Sequence, residues 1–439
     1  MVPVNPEKFV SPPEDEAVRA VSARVADPRL RDLFGRCLTN TLDTTVVFRD
    51  HPSDPDTFVI TGDIPAMWLR DSSAQVWPYL RFVRDDARLA RMVRGLVARH
   101  ARMVLLDPYA NAFTFDETGT TEHAGDLTDM RPGVFERKFE VDSLAYVIRL
   151  AAGYHEATRD RAIFTPDWLM AMHTIVDTLA VEQDHPSRSS YCFERPGAPE
   201  ISTLEYGVGT PVARTGMPWS GFRPSDDRCE FHYLVPSAAF AVVALQKLAH
   251  LVVQAGDTDL AHRAAHLAAQ IQGGIHAHAR VAHPVHGEIL AYEVDGMGNA
   301  ALMDDANVPS LLSLPYLGWC GADHPLYVST RRFVLGRANP YFVAGRLGEG
   351  VGSPHTPEGR VWPMSVIMRA LTSRDEREMV ACLRMLRDLA GPDGLMRESV
   401  NPDDPAEYSR AWFAWANTLF GELVLHLADA HPAVLAAEL

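Results

Sequence analysis

Apolar residues recur along this chain mostly at helical spacing. From Leu89 they return at Met92, Val93, Leu96, Val97, Met103 and Val104. From Phe240 they return at Val243, Leu248, Leu251 and Val252, and a third run carries Met379, Leu383, Leu386 and Leu389. Steps of three, four and seven residues gather each set on one face of a helix. Ser373 and Glu376 spell a capping box ahead of the third run, and Gly391-Pro392 marks its end. Thr165-Pro166 reads as an N-cap followed by proline at the first helical position. Further helices are expected over 142–155, 260–271 and 411–427. Strand-like alternation is scarce and short, at 112–115 and 288–294.

Long segments rich in Gly, Pro, Trp and charge separate the helices, at 61–71, 216–233, 297–309, 348–363 and 392–408. Loops this long inside a compact domain usually carry function. No linker or shift in composition divides the chain. The pattern predicts one all-α catalytic domain over 28–439, preceded by an N-terminal extension and first helix over 1–27.

Composition narrows the field. The 439 residues are 47% hydrophobic, enough for a large core, and the formal net charge of −16 disfavours nucleic acid and anionic membrane as partners. Neutral sugars do not feel that field. The most apolar run, 238–253, is broken by Gln246, Lys247 and His250 and reads as too short and too polar to span a bilayer. Five cysteines without a CxxC pair suggest neither a disulfide framework nor a zinc site. With no apolar leader behind a basic start, the expected location is the cytoplasm.

Four loops hold candidate chemistry. The segment TGDIPAMWLRD brings Trp68, Arg70 and Asp71 together: an indole can stack on a sugar ring, and an Arg-Asp pair can grip hydroxyls. The segment GMPWSGFRPSDDRCEFHY sets Asp226 beside Asp227, and adjacent carboxylates raise one pKa, as a proton donor needs. GEGVGSPHTPEGRVWP offers His355, Glu358 and Trp362, and GLMRESVN offers Glu398. Each has a plainer reading: a buried Trp with a structural ion pair, an Asp-rich helix start, a solvated His, an exposed Glu. Asp226, Asp227 and Glu230 also spell DDxxE, the magnesium motif of class I terpene synthases, though no second metal motif follows. Together the loops fit glycoside hydrolysis, which needs two carboxyl groups and a set of groups to hold hydroxyls.

Seven blocks closely resemble glycoside hydrolase family 125: GDIPAMWLRDSSAQVWPYL (62–80), FERKFEVDSLAYVIRL (135–150), TGMPWSGFRPSDD (215–227), MDDANVPSLLSLPYLG (303–318), GVGSPHTPEGRVWPMSVIMRALTS (350–373), LMRESVNPDDP (395–405) and RAWFAWANTLFGEL (410–423). The resemblance runs in order from about Asp27 to the C-terminal helix. It implies an (α/α)6 barrel and exo-α-1,6-mannosidase activity on mannose-containing oligosaccharides, with inversion and without metal or cofactor. It places the general acid at Asp226 or Asp227, leaning to Asp226, and the general base at Glu398. Trp68, Arg70, Asp71, Asp142 and His355 match sugar-holding positions. Arg397 and Val400 stand in a more variable stretch. The competing readings are a different exo-glycosidase or sugar epimerase on the same barrel, a binding protein that has lost catalysis, and the terpene synthase. Epimerases of that fold tend to use histidines instead of two carboxylates.

Overall fold

The computed structural model describes residues 8–116, 118–119 and 121–439. Fifteen α-helices are present among them: α1 (Pro12–Ser22), α2 (Pro28–Thr44), α3 (Leu69–Val76), α4 (Ala87–Leu106), α5 (Val141–Thr158), α6 (Pro166–Glu182), α7 (His185–Arg188), α8 (Val235–Ala255), α9 (Thr258–His278), α10 (Leu314–Leu317), α11 (Pro325–Val334), α12 (Pro363–Leu371), α13 (Glu376–Leu389), α14 (Ala414–Ala430) and α15 (Pro432–Leu435). The fold is mostly helical, as the periodicity predicts.

The helices alternate between two rings. In the inner set, α3, α5, α12 and α14 are buried on nearly every side, and α8 is so over its first half, Val235 to Leu245. Packing runs α14–α3–α5–α8–α10 and α12–α14. The outer set shows the amphipathic stripe that the sequence displays. In α4 and α13 the residues of the apolar runs, Leu89 to Val104 and Met379 to Leu389, form the buried faces. Outer α2 packs on inner α14, α9 on α8, and α13 on α12. The first and last helical pairs thereby close the ring. The short α1, within 1–27, lies against α2.

Local chemistry starts the helices. Thr165 accepts a hydrogen bond from the Trp168 amide and Pro166 holds the first position, as expected. Such a cap contributes about 1 kcal/mol. The capping box expected at Ser373 is not used: α13 begins two residues later, with Asp375 accepting from the Arg377 amide and Ser373 bonded to Glu378 and the Asp375 backbone. Asp375 stands immediately before the first turn and supplies a charged acceptor there, so it displaces the serine.

Helix α8 is longer than its apolar run suggests. Of its 21 residues an 18-residue window reaches a mean hydropathy of 1.5, long and apolar enough to cross a membrane by length and composition. It lies between α5 and α9, with 61% of that window buried inside the fold. The expected strands are trimmed. Ala112–Phe113 joins Met67–Trp68 and Val134–Glu136 in a three-stranded sheet, and 288–294 divides into Gly287–Leu290 and Glu293–Val294. These small sheets sit in the connections leading into the inner helices, so they fix the loops at one end of the ring.

Candidate active site

At that end lies a cavity walled by side chains from several separate loops. Trp68, Arg70 and Asp71 line it from the start of α3. Asp226 enters from the 223–228 turn, His355 and Trp362 from the loop before α12, and Glu398 and Arg410 from the strands ahead of α14. Asn307, Phe413 and Trp415 complete much of the wall. The Phe413 ring meets Trp362 and Trp415 edge-on, each at a centroid distance of 6.2 Å. An apolar surface of this kind suits the C–H faces of a pyranose.

The turn that carries the two adjacent aspartates sends them in different directions. Arg223 donates its amide to the Asp227 carbonyl, and Asp226 takes the left-handed conformation with φ 64°. Asp226 therefore faces the cavity, where its Oδ1 accepts from Arg70 Nη2 (3.1 Å), Asn111 Nδ2 (3.2 Å) and Trp68 Nε1 (3.3 Å). Asp227 lies beneath, bonded to Ser225 Oγ (3.0 Å) and His355 Nδ1 (3.0 Å). Glu230 is exposed, and the helix after this segment begins only at Val235. The DDxxE residues thus do not converge. Among the described residues, no group of three or more His, Cys, Asp or Glu could hold a metal ion.

Arg70 is the centre of the acid-rich wall. Its guanidinium meets Glu140, Asp226, Asp71 (3.4 Å) and Asp142 (3.6 Å) and is itself buried. Burial pushes Asp71 and Asp142 up to about 6 each, with Arg70 opposing the rise. Burial also drives Glu140 well above its usual range. For Asp226 burial acts in the same sense but is outweighed, chiefly by Arg70 and by a hydrogen bond with Glu140, so this carboxyl is held below the usual range. Asp142, expected to hold the sugar, does not line the cavity: it is fully buried behind Arg70, accepting from Ser237 Oγ (3.0 Å). It braces the arginine instead.

His355 stands at the rim with 36% of its side chain exposed. Burial would lower its pKa, but the bonded Asp227 and nearby Glu398 and Asp226 raise it to about 9, so the imidazole carries a proton at neutral pH. Glu358, on the same loop, is exposed and does not line the cavity.

Glu398 is held by a small antiparallel pair, Ser399–Val400 against Tyr408–Ser409. Its Oε2 accepts from Ser409 Oγ (2.8 Å) and its Oε1 from Arg410 Nη1 (3.4 Å). Arg410 also clasps Asp63. A bridge between Gly62 and Phe413 ties the two loops together. The sequence reading brought Trp68, Arg70, Asp71, Asp226, His355 and Glu398 to one cavity. It did not single out Asn111, Glu140, Asn307, Arg410 or Phe413 as site residues. All but Asn111 lie inside the blocks that carry the family resemblance, which was the available signal.

The sequence and the fold have known counterparts. A metal-independent α-mannosidase of Streptococcus pneumoniae, solved as a non-productive complex with α-1,6-mannobiose, is 43% identical, with a TM-score of 0.92 over 96% of this chain and all of that one. The meiotically up-regulated gene 157 protein of Schizosaccharomyces pombe is 41% identical over 97% of this chain and 88% of its own length. A bacterial glucoamylase complexed with acarbose, at 14% identity and a TM-score of 0.60, shares the fold over 92% of this chain and 57% of its own. The helical rings are those of the (α/α)6 barrel glycosidases. The family model for metal-independent α-mannosidases matches residues 27–425, and the chain belongs to glycoside hydrolase family 125.

Proposed function

We propose that this protein releases non-reducing terminal mannose from α-1,6-linked mannosides with inversion of configuration, Asp226 acting as general acid and Glu398 as general base. The observation that carries this reading is the shared cavity. Asp226 and Glu398 both line it, on separate sets of donors, whereas Asp227 is turned beneath it and bonded to His355. Asp226 would protonate the departing oxygen while Glu398 takes a proton from the attacking water. Trp68, Arg70, Asp71 and His355 border the space a mannose ring would fill. The α-1,6 linkage is supported by the mannobiose bound to the S. pneumoniae relative. The five unpaired cysteines support a cytoplasmic site of action.

The test is proton NMR of the first-formed sugar during hydrolysis of α-1,6-mannobiose. β-Mannose should precede its own mutarotation. If α-mannose appears first, one of the two carboxylates is a nucleophile and the inverting assignment is wrong.

A further inference from the structure

The general acid has a companion. Glu140 and Asp226 stand side by side on one guanidinium: Arg70 spans them, with Nη1 on Glu140 and Nη2 on Asp226. Asn111 Nδ2 lies against both, at 3.2 Å from Asp226 Oδ1 and 3.5 Å from Glu140 Oε1. Two carboxyl groups that share one guanidinium and one amide nitrogen away from water repel as anions, so the pair favours holding one proton. Glu140 has no exposed side-chain surface, whereas 24% of the Asp226 side chain reaches the cavity.

We propose that Glu140 is the proton-sharing partner of Asp226: the pair holds one proton, and that proton is the one delivered to the leaving oxygen. The inference rests on the reading of Asp226 as general acid. Burial keeps Glu140 in its protonated form when the cavity is empty, leaving Asp226 as the anion beside Arg70. On substrate binding the Glu140 O–H bond breaks and an Asp226 O–H bond forms. Arg70 then neutralises Glu140 in place of Asp226, so the charge stays beside the same guanidinium. A half-turn of the Asp226 carboxyl, whose terminal torsion is broad, brings the acidic oxygen to the sugar. In hydrolysis the Asp226 O–H and the glycosidic C–O bonds break. The leaving oxygen gains the proton, water bonds to the anomeric carbon, and Glu398 takes the water's proton. After release Glu398 gives that proton to solvent and the pair regains one, which balances the cycle.

Glu140→Gln keeps the shape and a hydrogen-bond donor toward Asp226 but cannot pass on a proton. The expected result is a fall of about 10²-fold in kcat on α-1,6-mannobiose with KM little changed, the lower part of the general acid–base range. On a dinitrophenyl α-mannoside, whose leaving group needs no proton, kcat should stay within about threefold. A carboxylic-acid infrared band present in the wild type at neutral pH should be missing from the variant. Asp226→Asn is measured beside it. If D226N discriminates between the two substrates and E140Q does not, whether through equal loss or through none, Glu140 is only structural and this inference fails while the acid assignment stands. If D226N itself fails to discriminate, Asp226 is not the acid and both readings fall.

Discussion

The two halves of the cavity wall carry their charge differently. Around Asp226, Arg70 and Lys138 face Asp71, Glu136, Glu140, Asp142 and Asp226, nearly all buried. Around Glu398, Arg410 faces Glu398 and the partly exposed Asp63, with a serine hydroxyl as the other donor. In the first half carboxyl groups outnumber cations where water cannot screen them, so protons must take the place of the missing cations. In the second, solvent reaches Arg410 and Asp63 and the excess is smaller. The lesson is that a buried surplus of carboxyls stores protons, which suits the group that must give one up each turnover.

Substitutions at the two carboxyls should separate the halves most strongly. Glu398→Gln is expected to lose about 10³-fold or more in kcat on every mannoside, because water must be activated whatever the leaving group. Asp226→Asn should lose about as much on α-1,6-mannobiose but far less on an activated aryl mannoside. Comparing kcat for both variants on both substrates checks this, and a uniform loss in D226N would erase the distinction.

Stability should show the same contrast at smaller scale. Arg70→Met removes the one guanidinium shared by three buried carboxyls and the partly exposed Asp226, and should cost about 3–5 kcal/mol, as for breaking a buried ion pair. Arg410→Met, with 23% of its side chain exposed and Asp63 at 41%, should cost about 1 kcal/mol or less. Without Arg70 the folded state binds extra protons, so the R70M deficit should shrink as pH falls. Urea unfolding at several pH values measures it, and equal losses in the two variants would contradict the picture.

The smallest effect is expected at His355. Its folded pKa of about 9 exceeds the ordinary 6.5, so the folded state holds the proton more tightly. That contribution is complete below about pH 6.5 and disappears as pH rises through 9. Melting temperature measured across that window should slope less in His355→Gln than in the wild type. An unchanged slope would mean that the Asp227–His355 pair does not bind a proton as described.

Much of this was legible in the sequence, because inner and outer helices leave different traces. The outer α4 and α13 show their buried stripes directly, while α8, buried all round only over its first half, could only be read as an apolar run with uncertain ends. Single chemical groups were legible where a rare residue stood in a long loop, as with Trp68, His355 and Glu398. Asp142 misled because its neighbour Arg70, not the sugar, is what it faces. The choice between Asp226 and Asp227 depends on one backbone torsion that composition does not reveal. Glu140 was hidden for a similar reason. In FERKFEVD it is one of several charges before a helix, and its importance comes from residues 70, 111 and 226, far away along the chain.

That torsion also decides which substitutions at position 226 can be trusted. With φ at 64°, the residue sits where side chains with a β-carbon are strained by roughly 1–2 kcal/mol, and where asparagine and aspartate are tolerated best. An alanine there would unsettle the turn, move Asp227 and His355 with it, and confuse loss of the acid with loss of the loop. Asparagine keeps the backbone at ease. A glycine would relax it altogether, freeing the turn to choose other shapes. The position therefore admits a short list of residues on conformational grounds before chemistry is considered.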